Sequence, residues 1–64
     1  DAARDAALAH AGVALTDTYE LEVEEELDER TPCYKVEFKA GGMEYEYKID
    51  ARTGGVLTYE MDRD

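Results

Sequence analysis

The strongest constraint on the fold is a two-residue alternation of apolar and charged side chains on both sides of Gly41-Gly42. Apolar residues occupy the even positions from 34 to 40 and the odd positions from 43 to 49. Side chains along a strand alternate between the two faces of a sheet, and two consecutive glycines favour a two-residue turn with positive φ. The pattern therefore predicts a β-hairpin with one apolar face and one charged face.

The Gly-Gly turn also predicts the register of this hairpin. The pairs expected on the apolar face are Ala40–Met43, Phe38–Tyr45, Val36–Tyr47 and Tyr34–Ile49. The pairs expected on the charged face are Lys39–Glu44, Glu37–Glu46 and Lys35–Lys48, with diagonal Lys35–Glu46 and Glu37–Lys48 contacts relieving the like charges. A slip by one residue would separate the apolar pairs, so the pattern specifies a single register.

The rest of the chain completes a small α+β domain. Residues 1–11 are rich in Ala and predict a helix, with Asp1 as N-cap and Gly12 as left-handed C-cap. The alternation recurs at residues 19–28, with Tyr19, Leu21, Val23 and Leu27 expected on one face, and again at residues 56–61. The predicted fold class is one N-terminal helix packed on a four-stranded antiparallel meander sheet. The large apolar side chains expected in its core are Leu8, Leu15, Leu21, Val23, Val36, Phe38, Ile49 and Leu57.

Composition excludes several classes of function. The 64 residues allow one domain, here residues 1–64, and seven basic against seventeen acidic residues give a net charge of −10. This charge argues against a nucleic-acid partner, and no apolar run approaches the ~18 residues that insertion into a membrane requires. One His and one Cys make neither a zinc site nor a convincing nucleophilic pair. We therefore expect no enzymatic activity, no metal and no cofactor.

Two further features concern the acidic run and the lone thiol. Residues 20–29 carry many carboxylates, but alternate strand residues lie about 7 Å apart, too far to surround a calcium ion without a loop. A solvated outer face is the simpler interpretation. Cys33 has the parity of that outer face, so we expect an exposed thiol that could link two copies; the protein is expected to be a monomer or a weak homodimer.

Partner binding is the function that the pattern leaves open. The outer sheet face suits a basic partner, and an edge strand could accept an extended peptide. The first strand is guarded by glutamates, so the last strand is the better docking edge. An edge without any partner remains the alternative. The residues predicted to contact a partner protein are Tyr19, Val56, Thr58, Tyr59 and Glu60.

Four blocks of sequence resemble the PepSY domain (peptidase propeptide and YpeB). They are His10–Val13, Tyr34–Phe38, Gly41–Tyr47 and Ile49–Gly54, and together they run through nearly the whole chain. The resemblance implies a cystatin-like helix on a sheet, in bacterial proteins that are extracellular or anchored at the cell surface. It also implies inhibition or regulation of peptidases, in some members as propeptides of thermolysin-like metallopeptidases.

The sequence therefore leaves a leading functional prediction and one alternative. The first is a non-catalytic module that binds, inhibits or regulates a peptidase in the cell envelope or outside the cell. The alternative is a structural or protein-interaction domain of a bacterial cell-surface protein with no peptidase target. A small-ligand site between helix and sheet is disfavoured, because Ala side chains let the two surfaces approach closely. Because the chain begins at Asp1 and the short apolar segment that usually precedes the family's helix is missing, we expect a domain excised from a larger, possibly tandem-domain, protein.

Overall fold

The computed structural model describes residues 1–64 and contains one helix and one sheet. The elements in chain order are α1 (Ala2–Ala11), a 3-10 turn (Leu15–Asp17), β1 (Tyr19–Glu26), β2 (Cys33–Ala40), β3 (Met43–Asp50) and β4 (Val56–Arg63). The four strands are antiparallel and lie in the order β1-β2-β3-β4. The predicted α+β class and the meander topology are confirmed.

The helix begins and ends at the predicted residues. The carboxylate of Asp1 accepts hydrogen bonds from the amides of Ala3 and Arg4, at 3.0 and 3.3 Å. Gly12 has a φ of 71° and ends the helix in the left-handed conformation. The small side chains of Ala3 and Ala7 are buried, which lets α1 lie directly on β2 and β3. The helix leaves the two edge strands largely uncovered.

The central hairpin has the predicted register at every position. Gly41 and Gly42 have φ values of 57° and 78°, as a two-residue turn of this hand requires. All seven predicted pairs occur, from Ala40–Met43 to Tyr34–Ile49 on the apolar face and from Lys39–Glu44 to Lys35–Lys48 on the charged face. The sequence pattern and the turn are sufficient to specify this half of the sheet.

The predicted diagonal ion pairs within the hairpin are wrong. The ammonium group of Lys35 contacts Glu24 and Glu37, at 3.4 Å each, and that of Lys48 lies 3.9 Å from Glu26. The physical reason is that β1 lies beside β2 and brings its own glutamates over these lysines. The lysines of β2 and β3 are therefore paired mainly with glutamates of β1.

The core contains most of the predicted residues, with two exceptions. Leu8, Val36, Phe38 and Ile49 are buried, and Leu21 and Val23 are half-buried. Leu15 is 44% exposed because it lies in the 3-10 turn beyond the helix, so its assignment to the core is wrong. Leu57 is 43% exposed. A shift of register between Lys48 and Ile49 places Val56 opposite Ile49 and leaves Leu57 outside the core.

The first strand is irregular where the sequence predicts plain alternation. Its register shifts between Tyr19 and Glu22, and Glu20 has a φ of 53°. This bulge places Tyr19 opposite Lys39 on the outer face, away from Leu21 and Val23, so the predicted common face is wrong for Tyr19. It is wrong for Leu27 as well, because β1 ends at Glu26 and Leu27 is 47% exposed in the following turn.

Cys33 has the predicted outer-face parity, but the predicted exposure is wrong. Only 3% of the residue is exposed, and its Sγ atom lies 3.6 Å from Oε1 of Glu26. Burial and the neighbouring Glu26 carboxylate both raise the pKa of the thiol above its ordinary 9.0. The position is covered because Glu26 on β1 lies directly opposite Cys33 and folds over it.

The turn between β3 and β4 is organised by Asp50. Its carboxylate accepts from the amides of Arg52 and Thr53, at 2.7 and 3.1 Å, and Gly54 has a φ of 77°. These backbone hydrogen bonds hold the pKa of the Asp50 carboxyl below its ordinary value. The Asp50 carboxylate therefore fixes the conformation of this turn.

Candidate partner-binding edge

The open side of β4, which we call the β4 edge, presents backbone groups that no other strand uses. Bonded and non-bonded pairs alternate along antiparallel strands, and the amide of Asp64 donates to the carbonyl oxygen of Gly42 at 3.0 Å. The bonded pairs of β3 with β4 are therefore the even-numbered ones, such as Glu46–Glu60. It follows that Tyr59 and Met61 turn their N–H and C=O groups away from β3.

The same two residues carry exposed apolar side chains on the helix side of the sheet. Tyr59 is 51% exposed and Met61 is 53% exposed. They are largely uncovered because α1 packs mainly over β2 and β3, although His10 near its end contacts Tyr59. The open backbone groups and the open apolar side chains therefore belong to the same strand positions.

An aromatic contact holds the Tyr59 ring at the border of the core. The ring centroid of Tyr59 lies 5.5 Å from that of Tyr47 and 4.8 Å from that of His10. Nδ1 of His10 lies 3.0 Å from the hydroxyl oxygen of buried Tyr47. Burial raises the pKa of Tyr47, so its hydroxyl remains protonated at neutral pH. The sequence alone does not reveal this cluster, because the cluster depends on the register of β4 and on where the helix ends.

The outer side of β4 is acidic. Thr58, Glu60 and Asp62 lie on this side, opposite Lys48, Glu46 and Glu44 of β3. Glu44 lies 3.9 Å from Lys39, and Lys48 is turned away from β4, with its ammonium group 3.9 Å from Glu26 of β1 on the same face. Glu46, Glu60 and Asp62 form no ion pair. An excess of negative charge therefore borders the β4 edge.

The structure brings together four of the five residues predicted to contact a partner. Val56 is half-buried against Ile49 at the start of β4, and Thr58, Tyr59 and Glu60 follow it along the strand. The backbone groups of Thr58 and Glu60 point to β3, so these two residues offer only their side chains. Tyr19 lies apart on the outer face, with its hydroxyl 3.5 Å from Asp64.

The opposite edge of the sheet is less open. On β1 the bulge at Glu20 interrupts the strand, and the exposed Glu25 lies on the helix side, opposite Tyr34. The carboxylates of Glu20 and Asp64 surround the Lys39 ammonium group and raise its pKa. A bulge and an inward-placed charge are common obstacles to pairing at an edge. The two edges of the sheet thus differ in chemistry.

The single histidine and the single cysteine each form a contact with another side chain. His10 bonds to Tyr47 at one end of the helix, and Cys33 lies against Glu26 on the other face of the sheet. No group of three His, Cys, Asp or Glu side chains converges in a way that could hold a metal ion. No helix has the length and apolar character needed to cross a membrane.

Comparison with known families identifies the chain. Residues 1–60 match the PepSY family, described as the peptidase propeptide and YPEB domain. The chain belongs to the PepSY family. Members of this family are propeptide-like or regulatory modules that are generally non-catalytic. No curated protein and no solved structure matches the chain significantly.

Proposed function

We propose that this PepSY domain is a non-catalytic module that binds and restrains a peptidase, in the cell envelope or outside the cell. Membership of the peptidase-propeptide family over residues 1–60 is the observation that carries this proposal. The His10 side chain contacts Tyr47 and the Cys33 side chain contacts Glu26, which is consistent with a role in binding instead of catalysis. A buried thiol also suits an oxidising environment, because it is protected from disulfide exchange.

The β4 edge is the proposed contact surface. An extended segment of a partner can add to an exposed edge as a further strand and gain backbone hydrogen bonds. Tyr59 and Met61 offer both the unpaired backbone groups and the apolar surface for such a contact. Val56, Thr58 and Glu60 flank them, and Tyr19 would contribute only to a partner that reaches the outer face.

Residual peptidase activity measures the proposed restraint directly. The purified domain is incubated with a thermolysin-like metallopeptidase at increasing molar ratio, and hydrolysis of a small chromogenic substrate is followed. We expect activity to fall in a saturable manner, with intact domain recovered at the end. Unchanged activity at high molar excess would contradict the peptidase proposal and favour a structural or interaction domain of a cell-surface protein.

A matched pair of proline variants tests the β4 edge in the same assay. Met61→Pro removes an N–H that points away from the sheet, so it blocks edge pairing without removing a ladder hydrogen bond. Glu25→Pro makes the equivalent change at the β1 edge. We expect Met61→Pro to abolish the restraint and Glu25→Pro to retain it, with circular dichroism confirming that both variants fold. Equal restraint by both variants would exclude the β4 edge as the contact.

A further inference from the structure

We infer that the β4 edge selects an extended peptide segment in which basic and apolar side chains alternate. The inference deepens the proposed function, on which it rests for the class of partner, by giving the chemistry of the segment that binds. Along β4 the helix side of the sheet is apolar and the outer side is acidic. A fifth strand added to this edge would place alternate side chains on these two sides.

The helix side of the edge requires apolar side chains. A strand added to β4 would lie about 4.8 Å away, with alternate side chains on the helix side. These side chains would meet Tyr59 and Met61, each about half exposed. Covering that apolar surface is favourable in proportion to the area removed from water. Charged side chains at the same positions would be desolvated against apolar neighbours.

The outer side of the edge requires basic side chains. The intervening residues of the added strand would lie beside Glu60 and Asp62, which themselves face Glu46 and Glu44 across the β3–β4 ladder. Like charges directly opposite one another are unfavourable, and Glu46, Glu60 and Asp62 form no ion pair within the chain. Lys or Arg from the partner would supply a cation and would speed association at low salt.

The same charges argue against a second copy of this chain as the occupant. Pairing of two β4 edges would place Glu60 and Asp62 of both copies on one sheet face. Each copy also carries a net charge of −10, so the two copies repel one another over the whole approach. A basic segment has the opposite sign to Glu60 and Asp62 on the outer side of the edge. Charge complementarity therefore favours a basic heterologous partner.

Two capped peptides of about eight residues, a typical strand length, provide the probe. One alternates Lys with Val and the other alternates Glu with Val. Binding is measured by chemical shifts of backbone amides in the isotope-labelled full chain. We expect the Lys–Val peptide to shift amides of residues 57–63 in a saturable manner, and to bind roughly tenfold or more weakly when NaCl is raised from low to high concentration. We expect no binding of the Glu–Val peptide.

Charge reversal at two matched positions shows whether binding is local. Glu60→Lys and Glu22→Lys change the net charge equally, and each position faces a glutamate of the neighbouring strand, Glu46 or Glu37. We expect Glu60→Lys to weaken binding of the Lys–Val peptide roughly tenfold. Glu22→Lys, at the opposite edge, should change it less than about twofold. The dispersion of the amide spectrum reports whether each variant is folded.

Several outcomes would overturn the inference. They are equal binding of both peptides, equal weakening by both substitutions, shifts spread over the whole outer face, and self-association of the chain through residues 57–63. The peptidase assay is independent of these results. Binding of the Lys–Val peptide at β4 without any effect on a peptidase would leave the inference standing and remove the proposed function. Restraint of a peptidase without binding of the Lys–Val peptide would support the proposed function and overturn the inference.

Discussion

At the scale of single residues, Cys33 illustrates how parity and burial differ. Its position in the alternation assigns it to the outer face, and its backbone register agrees. The side chain is nevertheless buried, because Glu26 lies directly opposite and covers it. Parity determines the face on which a side chain lies, whereas neighbouring strands determine whether water reaches it. A small side chain flanked by a long one is easily covered.

The reactivity of Cys33 with a disulfide reagent is the prediction that follows. A raised thiol pKa leaves less thiolate, which is the reactive form. We expect the folded protein to react roughly tenfold or more slowly at pH 8 than the urea-unfolded chain. The rate should rise only as the pH passes above the ordinary thiol pKa of 9.0.

Glu26→Gln is the informative variant in this experiment. It removes the carboxylate that raises the thiol pKa, so the pH at which Cys33 becomes reactive should shift downward. Glu22→Gln, on the same strand and away from the thiol, should leave the profile unchanged. Equal rates in the folded and unfolded wild-type protein would mean that Cys33 is exposed.

At the scale of elements, the central hairpin is the most strongly specified part of the molecule. A turn of two glycines with φ values of 57° and 78° fixes the pairing of Ala40 with Met43, and every later pair follows. The sequence specifies the register of the two edge strands less strongly. Each of them contains a register shift, near Glu20 in β1 and near Leu57 in β4.

Substitution of Gly41 tests the turn. No atom lies within 4 Å of a Cβ added at this position, so the only cost is conformational. We expect Gly41→Ala to lower the free energy of unfolding by about 1 kcal/mol, because Ala is disfavoured at positive φ. Gly41→Asn should cost less, since Asn-Gly suits this turn. Urea unfolding measures both, and a larger loss for Asn than for Ala would contradict the assigned turn.

At the scale of the whole molecule, a small core is opposed by a large net charge. Only ten of the 64 residues are buried, and domains of this size have a narrow margin of stability. Lys35 and Lys39 of β2 and Lys48 of β3 all form ion pairs with glutamates of β1. Glu46, Glu60 and Asp62 form no ion pair, and they lie next to the proposed binding edge.

Thermal unfolding at different salt concentrations tests this imbalance. Screening weakens repulsion among exposed carboxylates, so we expect the midpoint of unfolding to rise between low salt and about 0.5 M NaCl. Glu60→Lys should raise the low-salt midpoint, because it converts a repulsive cross-strand pair with Glu46 into an attractive one. The unfolding midpoint of the Glu60→Lys variant should also depend less on salt concentration than that of the wild-type protein. A midpoint that falls with salt would mean that attractive pairs dominate.

Much of the fold could be predicted because the dominant signals are local. The caps of α1, the Gly41-Gly42 turn and the Asp50 turn each depend on residues within a few positions of one another. The errors at Leu15, Leu57 and Tyr19 share a cause, since each residue continues a pattern past a point where the backbone leaves it. A bulge adds one residue to a strand and moves every side chain beyond it to the other face.

The sequence by itself determined the helix, the four strands, their order and the register of the central hairpin, because periodicity and turn chemistry act along the chain. Only the tertiary structure decided which surfaces stay open. A helix ten residues long can cover two strands of the four, and here it covers β2 and β3. Tyr59 and Met61 are exposed for that reason. Which strand remains uncovered depends on the docking of elements distant in sequence, and alternation within one strand carries no information about that.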